Sequence, residues 1–545
     1  MRRIRYVNFP AKTAAGPLLC LAAIAAAHLS YIHNGFVWLD HGDIEQGRAI
    51  IPLSQWWLAF AGPFADTGFY RPLVSLFHGM DAFLWGVHAP GFHCANLALH
   101  CAAAMAAPFF IDAFYPVSSR ERLFIALVFG LHPVAFLPAG CISFRSESLL
   151  ALFTFIAVAL YGKVRRGGTA LHSTLLFVVT ACACFSKETA FFYCPLFFLL
   201  GEAARYAHRG PAPDEKGRGT QGLLPAGVAA AALGLVFCLR WRAMPVQWCI
   251  SPVSMPPLES IGTRLVVLGR HMLNLVSPFV PPFSDAVDRY SVLQPMALFA
   301  ALIIVAVVFA IIRAGFRSPA LLTAALCGVC LFPALNPAPL PRFYSPHYAY
   351  LAVAALAAGV VLVKRKMHSL GRVAATGFRF LVIAWICVMG IGTFVAGNRF
   401  QSDQTLFAPE VSRDPRFSEG WFYIGNFLRL SGNLNAADSA YDNGLAPAPG
   451  CVRFSDPVEF LINKSSIAVQ RNRLSAADSL MLVAQARAPE AMLPDIAYIR
   501  ADIAMRGGDY GAVIALLSNN ENNLRRPEAR RLLDMALSAQ RGPLK

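Results

Sequence analysis

Ionisable and hydrogen-bonding side chains gather in six places beside apolar runs of this sequence. They are Asp40, His41 and Asp43; Arg71, His78 and Asp81; His93, Asn96 and His100; Arg145 and Glu147; Lys187 and Glu188; and Arg342, Tyr344 and His347. A carboxylate such as Asp40 can take a proton from a hydroxyl nucleophile. Lysine and arginine can hold phosphate oxygens, arginine in a two-pronged fashion. Each residue also has a structural reading. Asp43 suits a cap for a helix beginning near Ile44 better than Asp40 does. Lys187 could pair with Glu188 or reach along the interface. Arg342 could bond nearby carbonyls, and Arg145 could pair with Glu147 to shape a cavity. His93, Asn96 and His100 follow helical spacing on one face. No carboxylate or cysteine set completes zinc spacing around them, so no metal is expected, and a hydrogen-bonded helix contact is the reading. No P-loop, GxGxxG, GxSxG or HExxH pattern stands in a useful context, which leaves ATP-driven transport and hydrolase chemistry without sequence support.

What must position these groups follows from composition. The chain has 545 residues, of which 56% are hydrophobic and 14% charged, against about 25% charged in soluble domains. That excludes an ordinary soluble enzyme, a disordered chain and a collagen-like fibre. Thirteen cysteines, most of them inside apolar runs, read as packing residues rather than a disulfide scaffold. Eleven apolar runs are long enough to span a bilayer, at roughly 14–33, 92–114, 123–142, 146–162, 170–186, 189–204, 222–240, 292–313, 319–336, 347–363 and 376–396. Lysine and arginine cluster after every second run: Arg2 to Lys12, Arg120 and Arg122, Lys163 to Arg166, Arg205 to Arg218, Arg313 and Arg317, and Lys364 to Arg372. The positive-inside rule puts those segments and the N-terminus in the cytoplasm, and everything after residue 396 outside. The net charge of +16 therefore reflects cytoplasmic loops and points to no nucleic acid.

The polar groups then fall at the outer ends of the spans, an arrangement suited to a site opening outward and less to a channel. Two outer segments are long. Residues 34–91 carry Trp56, Trp57 and Trp85 among charges, which suits short interfacial helices. Prolines exclude one continuous helix over 241–291, although 262–276 reads as an interfacial or re-entrant helix. His132-Pro133 should kink the third span.

From residue 399 the chain is polar. Trp421, Ile424, Gly425, Leu428, Ala437, Tyr441 and Pro449 follow the spacing of a tetratricopeptide unit. Leu434–Ser439 and Leu474–Ser479 nearly repeat, a third unit runs from about 493 to 526, and 527–540 reads as a capping helix. The fold expected is all-α: a polytopic membrane domain over 1–398, a linker over 399–417, and a tetratricopeptide α-solenoid over 418–545.

Taken in order, the motifs are Val37-Trp38-Leu39-Asp40-His41, Tyr70-Arg71-Pro72-Leu73, Phe92-His93 through His100, Phe129-Gly130-Leu131-His132-Pro133, Arg145-Ser146-Glu147, Ser186-Lys187-Glu188, Arg342-Phe343-Tyr344 and finally the repeats. In this order they resemble the transmembrane-and-tetratricopeptide O-mannosyltransferases and their bacterial relatives of the GT-C glycosyltransferase class, over nearly the whole chain. The resemblance implies a polyprenyl-phosphate-linked sugar donor, an outer-face catalytic acid and exoplasmic repeats. It makes Asp40 the candidate base, with Asp43 the second acidic candidate. It gives Lys187, Arg342 and Arg145 to the donor phosphate, and Arg71, His93, Glu147, Glu188 and Tyr344 to the cavity wall. One departure bears on this: the usual adjacent acidic pair is replaced by Asp40-His41, with Asp43 two positions on.

The function expected is sugar transfer from the lipid-phosphate donor to a periplasmic protein or glycan, Ser/Thr hydroxyls among the acceptors. The acceptor would meet the repeats, and no cofactor or divalent metal is called for. The Ala- and Arg-rich composition suggests a bacterial inner membrane. A membrane scaffold with periplasmic repeats explains the repeats but not the one-sided charged groups. A lipid-linked sugar transporter would want polar residues at mid-span in both halves.

Overall fold

The computed structural model describes residues 15–209, 219–244, 255–335, 342–518 and 526–541. The basic N-terminal cluster Arg2–Lys12, the loop residues Lys216 and Arg218, the prolines 337, 339 and 341, and the end of the expected third repeat lie outside these. The chain divides into two units. One runs through Phe283 and resumes from Val287 to Leu406; the other comprises Ser284–Ala286 and everything from Phe407 onward.

The first unit is a helical bundle. Among the described residues, five of its helices are long and apolar enough to cross a membrane: Ala89–Asp112, Ile142–Arg165, Leu223–Ala243, Pro295–Arg317 and Arg372–Gln401. A sixth is the pair Ser119–Leu131 and Pro133–Gly140, bent by 48°. Pro133 has no amide to continue the helix. His132 covers the break, its Nδ1 accepting the Val134 amide at 3.2 Å and its Nε2 donating to the Leu275 carbonyl at 2.8 Å.

Eleven spans are expected; the remaining five runs are helical, three of them in shorter apolar helices and two in helices that run on past the expected ends into charged residues. Ala15–Ala27, Ala170–Ser186 and Pro319–Leu335 are short. Ala190–Arg209 carries Glu202, Arg205 and Arg209 in its last turns, and Ala352–Ser369 carries Lys364, Arg365 and Lys366. In the stretch 34–91, expected on the outer side, lie the short helices Leu53–Phe60 and Pro72–Trp85, with Trp56, Trp57 and Trp85 half exposed. The interfacial or re-entrant helix expected at 262–276 begins earlier, and the helix covers Pro257–Val276.

The bundle packs through small residues. Ala103, Ala104, Ala106 and Ala107 are buried on Ala89–Asp112, which lies against Ser119–Leu131 and Arg145–Arg165. Without a hydrophobic drive between helices in lipid, such close approach gains van der Waals contact. A Cβ on Gly130 would collide with Ile24. At one end, cations are paired: Arg122 with Asp112 at 2.8 Å, Arg365 with Glu121 at 2.8 Å, and Arg165 and Arg205 with Glu202.

The second unit is built of helix hairpins: Ser418–Leu430 with Leu434–Leu445, Pro457–Gln470 with Leu474–Arg487, and Leu493–Arg506 with Tyr510–Ser518, then the helix Pro527–Arg541. The three hairpin turns share one geometry. Gly432, Asn472 and Gly508 sit in the left-handed region at φ 82°, 57° and 75°, which glycine and asparagine tolerate best. In each turn the next residue's amide reaches back five residues, from Asn433 to Leu428, Arg473 to Ala468 and Asp509 to Ala504, at 2.8 to 3.0 Å. The motif positions do the packing. Ala437 and Ala477 are fully buried, and a Cβ on Gly425 would collide with the Tyr441 ring. Asp438 and Asp478, equivalent in the near-repeat, both pair with the following hairpin: Asp438 with Lys464 at 2.7 Å, Asp478 with Arg500 at 2.7 Å. Residues 399–417, expected as a linker, contain a turn and the helix Asp403–Arg413.

Candidate functional site

The segment after the first helix turns sharply. Trp38 is buried with φ 58°, an unfavourable conformation for a bulky residue. His41–Glu45 form one wide helical turn, closed by the Gln46 amide on the His41 carbonyl at 3.0 Å. Such π-type turns are rare and concentrate at functional sites. Asp403, just beyond the last long helix, braces the turn: Oδ1 accepts the Trp38 amide at 2.7 Å, and Oδ2 accepts from His41 Nε2 at 2.9 Å. His41 Nδ1 faces Glu45. Burial opposes charge on this imidazole, but the bonds and charges of Asp403 and Glu45 outweigh it and push His41 up to about 9.

Asp40 is 0% exposed. It accepts from the Ser143 amide at 2.7 Å, the Ser143 hydroxyl at 2.8 Å, the Ile142 amide at 3.3 Å and the Cys141 thiol at 3.4 Å. Burial pushes its carboxyl up, and the Ser143 amide, His93 and the two side-chain donors pull it down. Asp43 is partly exposed. Burial raises it to about 6, with Asp40 adding to the rise and Ser143, Arg48 and Arg71 opposing it.

A chain of contacts ties this turn to four other elements. The Arg342 guanidinium stacks 4.8 Å over Trp38. Tyr348 donates to the Arg342 carbonyl at 3.0 Å, and its ring lies 5.9 Å from Lys187 Nζ. Lys187 pairs with Glu147, which also meets His347 Nε2 at 3.3 Å. Arg71 pairs with Glu188 at 3.1 Å, while the other Glu188 oxygen accepts the Tyr70 amide at 2.8 Å. Asp43, Lys187 and His347 all lie within electrostatic range of Arg71.

Of the residues singled out in the sequence, then, Asp40, Asp43, Arg71, Glu147, Lys187, Glu188 and Arg342 share one end of the bundle. Three others are held by bonds within the fold, with His93 and Arg145 in electrostatic range of Asp40. Arg145, expected on a donor phosphate, is 0% exposed; it pairs with Asp81, donates from Nε to Asn96 at 2.6 Å and from NH2 to the Phe92 carbonyl at 3.0 Å. Its fork is filled by protein, and its partner is Asp81, not Glu147. His93 donates to the Gly35 carbonyl at 3.1 Å. Tyr344 binds Asn274 at 2.8 Å and the Pro282 carbonyl at 3.2 Å. Among the described residues no three His, Cys, Asp or Glu side chains converge as metal ligands.

Two contributors escaped the sequence reading. Asp403 fell within the expected linker; its signal was a carboxylate just past the last span, as Asp40 is just past the first. Ser143 carried no signal, because its partner is 103 residues away.

The long apolar helices and the polar cluster at one bundle end define a multi-pass helical membrane protein. No protein-family model matches the chain. Among curated proteins it is similar to Protein O-mannosyl-transferase TMTC1 of Mus musculus, 26% identical over 195 residues. The match takes in 34% of this chain and 19% of that protein, so the chain spans about a fifth of its relative's length.

Proposed function

We propose that this protein is an integral-membrane glycosyltransferase of GT-C type that moves a sugar from a polyprenyl-phosphate donor to an acceptor hydroxyl on the exoplasmic side. The observation that carries the reading is the contact chain from the acidic turn through Arg342 to the Lys187–Glu147–His347 group. It sets carboxylates beside cations at one bundle end, and transfer from a sugar phosphate needs both. The partial similarity to an O-mannosyl-transferase supports the same chemistry.

In this reading the polyprenyl tail lies in lipid and the phosphate meets Arg342, Lys187 and Arg71. The leaving group is already an anion, so fixed cations stabilise its departure. A carboxylate of the 38–45 turn takes the acceptor proton. The chain crosses a bacterial inner membrane eleven times from a cytoplasmic N-terminus. Its helix hairpins are periplasmic tetratricopeptide repeats that offer a concave surface to a protein or glycan acceptor.

The test is transfer of radiolabelled sugar from polyprenyl-phosphate mannose, and then from other polyprenyl-phosphate hexoses, to protein in membranes containing the chain. Label on Ser/Thr hydroxyls that falls when 418–545 is deleted supports the proposal. Wild-type membranes that use none of these donors overturn it.

A further inference from the structure

The two carboxylates of the acidic turn are treated differently by the fold. Asp40 is enclosed, and its oxygens are committed to four donors from Cys141, Ile142 and Ser143. Those amides open the helix Ile142–Arg165, whose unsatisfied N–H groups and dipole favour a carboxylate there. A side chain so held has no free face for a hydroxyl. Asp43 stands three positions on and is partly open to solvent. The Ser143 side chain, Asp40, Arg48 and Arg71 surround it. Arg48 lies across Gly42, its Nε donating to the Gly42 carbonyl at 3.3 Å, and a Cβ at Gly42 would occupy the guanidinium's place.

We propose that Asp43 is the base that takes the acceptor's proton, and that Asp40 is a positioning residue fixing the Ser143 end of the helix. This rests on the sugar-transfer reading given above. In the step, a lone pair of the acceptor oxygen bonds to the anomeric carbon. The bond from that carbon to the donor phosphate oxygen breaks, and its electron pair leaves with the polyprenyl phosphate. The hydroxyl proton passes to an Asp43 carboxylate oxygen. Arg48 and Arg71 keep that carboxylate ionised at neutral pH, and burial keeps it basic enough to accept.

Two measurements test the proposal. The first needs no substrate. Native protein in membranes is treated with a water-soluble carbodiimide and an amine near pH 6, and its peptides are read by mass spectrometry. Asp43 should be modified and Asp40 spared until the protein is denatured; the reverse pattern overturns the assignment. The second compares variants in transfer from polyprenyl-phosphate hexoses at matched protein level. Asp43→Asn should lower kcat by about 10²–10⁴-fold with little change in donor KM. The wild-type rate should fall as pH drops through about 6, and that limb should be missing from the residual rate of Asp43→Asn. Asp40→Asn should instead lower the melting temperature, because its amide hydrogens face the Ser143 donors. An active Asp43→Asn beside a stable, inactive Asp40→Asn overturns this proposal alone. No transfer from any such donor by the wild-type protein overturns the sugar-transfer reading along with it.

Discussion

Asp403 holds Trp38 in a left-handed conformation by accepting its amide at 2.7 Å, while its second oxygen holds His41 at 2.9 Å. The strain at Trp38, about 1–3 kcal/mol for such a residue, is offset by charge-assisted bonds of about 1.5–3 kcal/mol each. Trp38 in turn supports the Arg342 guanidinium. Replacing Asp403 by Asn removes the charge and one good acceptor. His41 should then titrate closer to its ordinary 6.5 than to about 9, as followed by NMR of labelled histidine. The sign is that of a raised group: the stabilisation His41 lends the turn is complete below pH 6.5 and is lost as pH rises through about 9. An unchanged His41 titration in Asp403→Asn would refute the clamp.

Arg145 and Asp81 form a buried pair, and breaking such a pair from one side costs about 3–5 kcal/mol. Asp81→Ala and Arg145→Ala should each lower the melting temperature in detergent sharply. The double variant Asp81→Leu with Arg145→Met should recover much of that loss. If Arg145→Ala kept full stability and lost only donor affinity, Arg145 would belong to the phosphate after all.

Arg342 is partly exposed and stacked on an aromatic face. Arg342→Gln should raise the donor KM by about 10–100-fold, the equivalent of one charge-assisted contact, with a small change in stability. Lys187→Gln takes from the buried Glu147 its ammonium partner and leaves it beside His347, so it should cost stability as well as affinity. Equal melting temperatures for the two variants would argue against this difference.

Orientation can be read with fusions. A phosphatase active only in the periplasm should be active after residue 417 and inactive after residue 366, where Lys364–Lys366 lie. The opposite pattern would reverse the topology proposed for the whole bundle.

What was legible in the sequence is what depends on near neighbours. Pro133 announced the break at His132, and the near-repeat of Leu434–Ser439 and Leu474–Ser479 announced equivalent helices in successive hairpins. Trp56, Trp57 and Trp85 marked the short helices of the 34–91 stretch. Partner choice was not legible. Arg145 has Glu147 two positions away, yet on a helix such neighbours point apart; Arg145 pairs with Asp81, and Glu147 with Lys187. Glu188 adjoins Lys187 in sequence but serves Arg71 and the Tyr70 amide. These choices are made by helices packing side by side, which periodicity does not encode. Span number is not legible for a related reason: an apolar run marks a helix without fixing how much of a bilayer it covers.

The Trp38 turn has its fastenings far along the chain, 103 residues on at Ser143 and 365 residues on at Asp403. During synthesis the ribosome delivers the acidic turn early and its last clasp near the end of the bundle. A nascent chain halted anywhere between has inserted helices but an unfinished turn, with Trp38 unbraced. Completion of this one turn therefore waits until nearly the whole bundle has been made.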